Sequence, residues 1–246
     1  MQRYFINGPL LEDGSVEISG EDAKHISRVL RMGVGDRVIV VISQRSFIAE
    51  ITTITDQSVI VVPESNELRN NEMPIRVAIA CGLPKGEKLE WIAQKATELG
   101  MNELIPFKAE RSIVKWDDKK GAKKQERLQK IAKEAAEQSH RSIIPEVHEP
   151  ISLKQLIDMS SQFDVLYVAD EEDAKAITRT RFAEQMKSVY DKLSMMVVFG
   201  PEGGLSRNEA EVLKEAGFKT ISLGPRILRT ETAPLYVLSA ISYEFE

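Results

Sequence analysis

The chain has 246 residues, 42% hydrophobic and 29% charged, an ordinary globular composition that excludes disordered, collagen-like and coiled-coil chains. At about 150 residues per domain it holds one large domain or two modest ones. With 33 basic and 38 acidic residues the formal net charge is −5, a balance that taken whole argues against a phosphate-rich partner.

A single cysteine, Cys81, closes no internal disulfide, and no Cys/His cluster has zinc spacing. The opening MQRYFINGPL has no basic flank leading into an apolar core, and no apolar run nears the roughly 18 residues of a membrane span. The expectation is a cytoplasmic protein.

The first sixty or so residues carry short Val/Ile-rich runs: VEIS at 16–19, DRVIVVI at 36–42, SFIAEITTI at 46–54 and SVIVVP at 58–63. Turn residues separate them, which predicts a small β-barrel. A helical stretch, 20–33, interrupts them, with Ile26, Val29 and Leu30 expected on one buried face and Gly33 as its stop. The polar, Pro-bounded segment 63–74 reads as a linker.

From residue 75 strands and helices alternate. IRVAIACGL at 75–83, ELIPF at 103–107, DVLYVAD at 164–170, MMVVFG at 195–200 and FKTISLG at 218–224 are strand candidates. GEKLEWIAQKATELG at 86–100, the stretch 123–141, SRNEAEVLKEAG at 206–217 and ETAPLYVLSAISYEF at 231–245 are helix candidates. Ser206 and Glu209 have capping-box spacing. Thr230 or Thr232 is expected to cap the last helix, with Pro234 in its first turn. The pattern is an α/β domain with a mostly parallel sheet. The last helix carries too many apolar residues for a free surface, which predicts a dimer.

Ligands of open parallel sheets bind at the carboxyl ends of the strands. Three such ends here hold special residues: CGLPKG at 81–86, FGPEGGLS at 199–206 and SLGPRILRTETAP at 222–234. The GPEGG loop lets backbone amides approach a ligand, and equally reads as a tight strand-to-helix turn. No Lys-Ser/Thr follows it, which disfavours a nucleotide hydrolase. Ile227 and Leu228 between Arg226 and Arg229 suit an adenine and ribose, or a hydrophobic loop anchor.

These two C-terminal motifs resemble those of the SPOUT superfamily of methyltransferases. More narrowly, the chain resembles the bacterial 16S ribosomal RNA (uridine N3)-methyltransferase family. Further pieces carry the resemblance in order: MQRYFI at 1–6, HISRVLRMGVGD at 25–36, LPKGEKLEWIAQKATELG at 83–100, ERS at 110–112 and EAAEQSHR at 134–141. The early Asn-x-x-Arg motif typical of the ribose 2′-O-methylating branch is not found at the start of the α/β domain.

The resemblance implies a SPOUT-type, trefoil-knotted parallel-sheet domain over 71–246, preceded by a small PUA-like RNA-binding β-barrel over 1–70. It implies S-adenosylmethionine as cofactor, an obligate homodimer and 16S ribosomal RNA as partner; the RNA is expected within the small ribosomal subunit, with free RNA as the open alternative. Carried over residue by residue, the cofactor site comprises Leu83, Pro84, Phe199, Gly200, Pro201, Glu202, Gly203, Leu223, Gly224, Pro225, Ile227, Leu228, Arg229, Thr232 and Ala233, with Arg226 among them.

Loss of the N3 proton puts charge on O2 and O4 of uracil, which a cation would stabilise. Arg229 is the expected catalytic cation, and a salt bridge to Glu231 or Glu202 is the competing role for it. Glu202, the lone acid of the glycine loop, is the expected base or a loop-fixing carboxylate. The chemistry calls for no metal. A non-catalytic PUA-like RNA-binding protein is the alternative outside enzymes.

Arg3, Lys24, His25, Arg28, Arg31, Arg111 and Arg141 are the expected RNA contacts. His140 reads as a charge partner at a helix end, and Trp116 as a more exposed ring than Trp91. Locally the charge differs from its sum. Segment 24–37 nets +3, and segment 108–141, with 11 basic and 6 acidic residues, nets +5, leaving −13 elsewhere. The run from Lys119 to Lys124 reads as a solvated helix face.

Overall fold

A computed structural model describes residues 1–6, 8, 10–116, 118–170, 182–187 and 189–246. The side chains of residues 118–120 lie outside it, and with them Lys119 and Lys120 of the basic run. The chain divides into two compact units, Met1–Glu72 with Glu137–Ile143, and Met73–Ala136 with Ile144–Glu246.

The first unit is a five-stranded mixed sheet built from β1 (Arg3–Phe5), β2 (Val16–Ser19), β3 (Arg37–Ile42), β4 (Arg45–Ile54) and β5 (Ser58–Asn66), in the order β1-β3-β4-β5-β2. Alternation explains it: Val16 and Ile18, Val38 and Val40, Ala49 and Ile51, and Val59 and Val61 share one buried cluster. Strand β5 runs past the expected end, so residues 63–66 of the predicted linker pair with β4 instead.

The predicted helix 20–33 is shorter and changes register. α1 (Gly20–Lys24) passes into a π-helical turn, His25–Val29. The wider turn keeps Ile26 fully buried but swings Val29 and Leu30 outward, to 68% and 42% exposure. The single buried face expected there is therefore reduced to Ala23 and Ile26.

Charged residues at distant positions close this unit. Arg3 is fully buried, ion-pairs with Glu67, and donates to Ser46 Oγ and to the Arg141 carbonyl. Arg141, 1% exposed, pairs with Glu72, whose other oxygen accepts from the amides of Ser142 and Ile143. Taking the carboxylate from a guanidinium so buried costs about 3–5 kcal/mol. These bonds draw residues 137–143 into the first unit rather than the second domain predicted for them.

The second unit is a six-stranded, all-parallel sheet. Its elements in chain order are β6 (Arg76–Gly82), α2 (Lys88–Glu98), β7 (Glu103–Phe107), α3 (Asp118–Gln138), β8 (Glu146–Val147), α4 (Leu153–Ser160), β9 (Val165–Ala169), α5 (Phe182–Lys187), β10 (Ser194–Phe199), α6 (Arg207–Glu215), β11 (Lys219–Ile221) and α7 (Thr232–Phe245). The strand order is β11-β9-β10-β6-β7-β8.

Strands β6 and β10 are buried on both faces, as continuous apolar runs must be. Val77, Ile79 and Cys81, with Met195, Val197 and Phe199, face α2, α3, α5 and α7. Ala78 and Ala80, with Met196 and Val198, face Leu156 of α4 and Leu213 of α6. Burial pushes the Cys81 thiol up to about 12, so it is inert at neutral pH. Ser206 and Glu209 form the predicted capping box, and Ser152 and Gln155 form another at α4. No helix among the described residues is long and apolar enough to cross a membrane.

Candidate active site at the strand ends

β10 lies between β9 and β6, although β7 follows β6 in sequence. The crevice beyond the carboxyl ends at such a reversal is where an open parallel sheet binds ligands. A cavity of about 360 Å³ opens there, walled by Ala169, Phe199, Ile221, Leu223, Leu228 and Ala233, with the glycine loop and Arg226 and Arg229 around it.

Close backbone approach shapes this crevice. A Cβ on Gly200 would lie 2.7 Å from backbone atoms of Gly204 and Leu205. A Cβ on Gly82 would lie 2.6 Å from Pro201 Cδ. Only glycine lets the end of β6 and the loop after β10 meet this closely. Arg111 donates to the Gly203 carbonyl at 3.0 Å, so this predicted RNA contact braces the glycine loop.

Glu202 Oε1 accepts from the Lys85 amide at 3.0 Å and from Lys88 Nζ at 2.9 Å. Burial alone would raise its carboxyl, but these bonds outweigh it and hold the group below its ordinary value. That makes Glu202 a weak base and a firm loop anchor. Lys88 Nζ also lies 3.4 Å from Glu231 Oε2. Arg229, by contrast, is exposed and forms no ion pair among the described residues. Its carbonyl accepts from the Thr232 and Ala233 amides at the start of α7. A cation there gains nothing from the helix dipole.

Of the predicted cofactor residues, Phe199, Gly200, Pro201, Glu202, Leu223, Gly224, Pro225, Ile227, Leu228, Arg229 and Ala233 line the cavity. Leu83, Pro84, Gly203 and Thr232 are not among its lining. Leu83 is packed into the core, and Thr232 begins α7, where Glu231 rather than either threonine holds the cap position without a side-chain cap bond. Lys88, Ala169, Asp170, Gly204, Leu205, Ile221 and Thr230 line it unpredicted. Asp170 closes a predicted strand, so the rule that picked the other strand ends would have found it.

The predicted RNA contacts separate. Lys24, Arg28 and Arg31 are exposed, whereas Arg3 and Arg141 are buried in ion pairs and cannot meet RNA. His25 is half-buried, its Nδ1 held 3.0 Å from the Tyr4 hydroxyl. His140 is held below its ordinary value by burial first and Arg3 second, so at neutral pH it is not the expected helix-end cation. Trp116 is half-buried under the Lys124 ammonium, while Trp91 is 50% exposed, the reverse of expectation.

A family model described as an RNA methyltransferase domain matches residues 71–242, and one described as an RNA methyltransferase PUA domain matches residues 18–64. The chain belongs to the RNA methyltransferase family. Ribosomal RNA small subunit methyltransferase E of Bacillus subtilis is 50% identical over 100% of this chain and 98% of its own length. The protein of the same description from Synechocystis is 33% identical over 94% of this chain and 73% of its own length. A crystal structure of the Neisseria gonorrhoeae ribosomal RNA small subunit methyltransferase E, bound to S-adenosyl methionine, superimposes with a TM-score of 0.86 at 26% identity, covering 100% of this chain and 98% of that one. The parallel sheet preceded by a PUA-like β unit is thus the SPOUT-type methyltransferase architecture that the motifs implied.

Proposed function

We propose that this RNA methyltransferase uses S-adenosylmethionine to methylate N3 of a uridine in 16S ribosomal RNA. The observation that carries the reading is an exposed Arg229, without an ion pair among the described residues, beside an apolar cavity walled by glycine-loop backbone.

The residues present fit the cofactor. A cavity of about 360 Å³ is within the range of small-ligand sites. Leu223, Leu228 and Ala233 offer apolar walls for an adenine, and Gly200 leaves no room for a side chain where backbone meets backbone. When bound, S-adenosylmethionine supplies a methyl group activated by its sulfonium.

The chain's own residues supply alignment and charge. Uracil N3 becomes nucleophilic as its proton leaves, and the charge spreads to O2 and O4. Arg229 is the group placed to stabilise that charge. Glu202, held by Lys88 and the Lys85 amide, keeps the glycine loop in place. Nothing in this chemistry calls for a metal.

Lys24, Arg28 and Arg31 are the proposed RNA contacts of the first unit, with salt-sensitive affinity. Tyr236 and Tyr243 on α7, at 41% and 89% exposure, support a homodimer through this helix, and a monomeric sedimentation profile at micromolar concentration would overturn it. The assembled small subunit in the cytoplasm is the proposed substrate.

Tritium transfer from labelled S-adenosylmethionine to free 16S RNA and to small subunits, followed by mass mapping of nucleosides, tests the whole reading. 3-Methyluridine is the expected product. A ribose 2′-O-methyl product would place the chain in the other branch, and cofactor binding without transfer would make it a non-catalytic RNA-binding protein.

A further inference from the structure

Lys88 opens α2, at a helix end where a cation is electrostatically disfavoured. What holds it there is a pair of carboxylates from two other loops, Glu202 Oε1 at 2.9 Å and Glu231 Oε2 at 3.4 Å. Its own side chain is 30% exposed and theirs are 30% and 20%, so water screens the trio only partly. Glu231 sits at the cap of α7 yet makes no cap hydrogen bond; its carboxylate reaches toward Lys88 instead.

Arg229 stands two positions before Glu231 and lines the same cavity as Glu202 and Lys88. Two carboxylates beside one arginine would ordinarily capture it. Here Lys88 bonds Glu202 and faces Glu231 as an ion pair at 3.4 Å, leaving Glu231 Oε2 without a hydrogen bond among the described residues.

We infer that Lys88 is a positioning residue for methyl transfer: by holding Glu202 and Glu231 it keeps Arg229 unpaired and available to the substrate. The inference rests on the reading of this cavity as the cofactor site and of Arg229 as the stabilising cation. Lys88, Arg229 and the two acids form a neutral set. Without the lysine charge, the acids carry a surplus that only Arg229 among the four can balance. An arginine bound to a carboxylate must be detached before it can serve the uracil oxygens, so the loss falls on kcat more than on cofactor binding.

The test is a mutant cycle in the full chain, reading kcat, the KM for S-adenosylmethionine and thermal melting. Lys88→Gln lowers kcat about 10- to 100-fold, somewhat less than loss of the stabilising donor itself, with the cofactor KM changed by less than about threefold. Lys88→Arg stays within about threefold of wild type, because charge is what the role requires. The deciding arm is the Glu202→Gln/Glu231→Gln background, where no carboxylate is left to capture Arg229. There the added Lys88→Gln change costs less than about threefold in kcat.

A Lys88→Gln loss of the same size on both backgrounds overturns the inference, as does unchanged kcat in Lys88→Gln alone. If Lys88→Gln alone melts early, the same pair of variants on the glutamine background decides, since the ion pairs are already absent there. A wild-type chain without methyl transfer would instead overturn the functional reading on which the inference rests.

Discussion

The two ends of the six-stranded sheet both gather charged side chains, and they use them in opposite ways. At the amino end, Glu103 opens β7, buried, and accepts from Arg76 at 2.7 Å and bonds His148 Nε2 at 3.0 Å. Glu146, opening β8, lies 3.7 Å from His148 Nδ1. Each of these four side chains faces a partner of the cluster. At the carboxyl end, Lys88, Glu202 and Glu231 are likewise paired, but Arg229 beside them is left exposed at a cavity. Three carboxylate and imidazole groups within metal-ligating reach at the amino end are satisfied by each other and by Arg76, so the cluster is a staple. Clustering alone therefore does not mark a site; what distinguishes the carboxyl end is an exposed arginine that makes no ion pair among the described residues and stands beside a cavity.

The sharpest way to break this contrast is Arg229→Ala. Methyl transfer should fall by at least about 10²–10³-fold, the scale of removing one preorganised donor, while the melting temperature holds. Near-wild-type turnover would remove the carboxyl end's claim to the chemistry.

Gly200→Ala comes next. Its Cβ would meet backbone at 2.7 Å, and the forced shift should cost about 1–3 kcal/mol of stability together with cofactor affinity by calorimetry. Unaltered cofactor binding would show that the loop's close packing is not what shapes the cavity.

His148→Gln probes the amino end. The hydrogen bond to Glu103 raises His148, against burial, so its contribution is complete below the ordinary 6.5 and fades as pH rises through the raised value. Glu103 would be raised by burial, but His148 and Arg76 hold it below its ordinary 4.5, so its contribution is lost as pH falls through that lowered value. The pair should stabilise most between pH 4.5 and 6.5. His148→Gln should cost about 1–2 kcal/mol in that window and less above it, with kcat unchanged. A flat difference in melting temperature across pH would count against the pair, and a kcat loss would blur the contrast between the two ends.

The smallest effect is expected from Arg111→Ala, which removes one bond to the Gly203 carbonyl. A loss of about 0.5–1.5 kcal/mol in loop order should appear as a severalfold rise in cofactor KM. A large drop in RNA affinity instead would return Arg111 to its predicted role.

Sequence pattern revealed most of the parallel sheet, because doubly buried strands such as β6 and β10 are uninterrupted apolar runs and capped helices carry local signals. α4 was legible by the same rule that found α6, since Ser152 and Gln155 repeat the spacing of Ser206 and Glu209. What pattern could not reveal depends on partners far apart in sequence. Arg3 and Arg141 look like surface cations until Glu67 and Glu72 are placed beside them. Lys88 looks like a solvated helix residue until two loops more than a hundred positions away close on it. The π-helical turn defeats periodicity itself, since a face counted at 3.6 residues per turn assigns Val29 to the wrong side.

The capture of residues 137–143 by the first unit has a consequence during synthesis. A ribosome that has released the first 72 residues has made all five strands of that unit, but Glu72 then has neither the Arg141 guanidinium nor the amides of Ser142 and Ile143 to bind. About 70 further residues must emerge first, several seconds of elongation at about 5–20 residues per second. The amino-terminal unit is therefore first translated and late completed, its last stitch waiting on a segment that also ends the long helix α3. Nascent chains arrested before residue 143 should remain open to protease near Glu72, and chains arrested well beyond it should not.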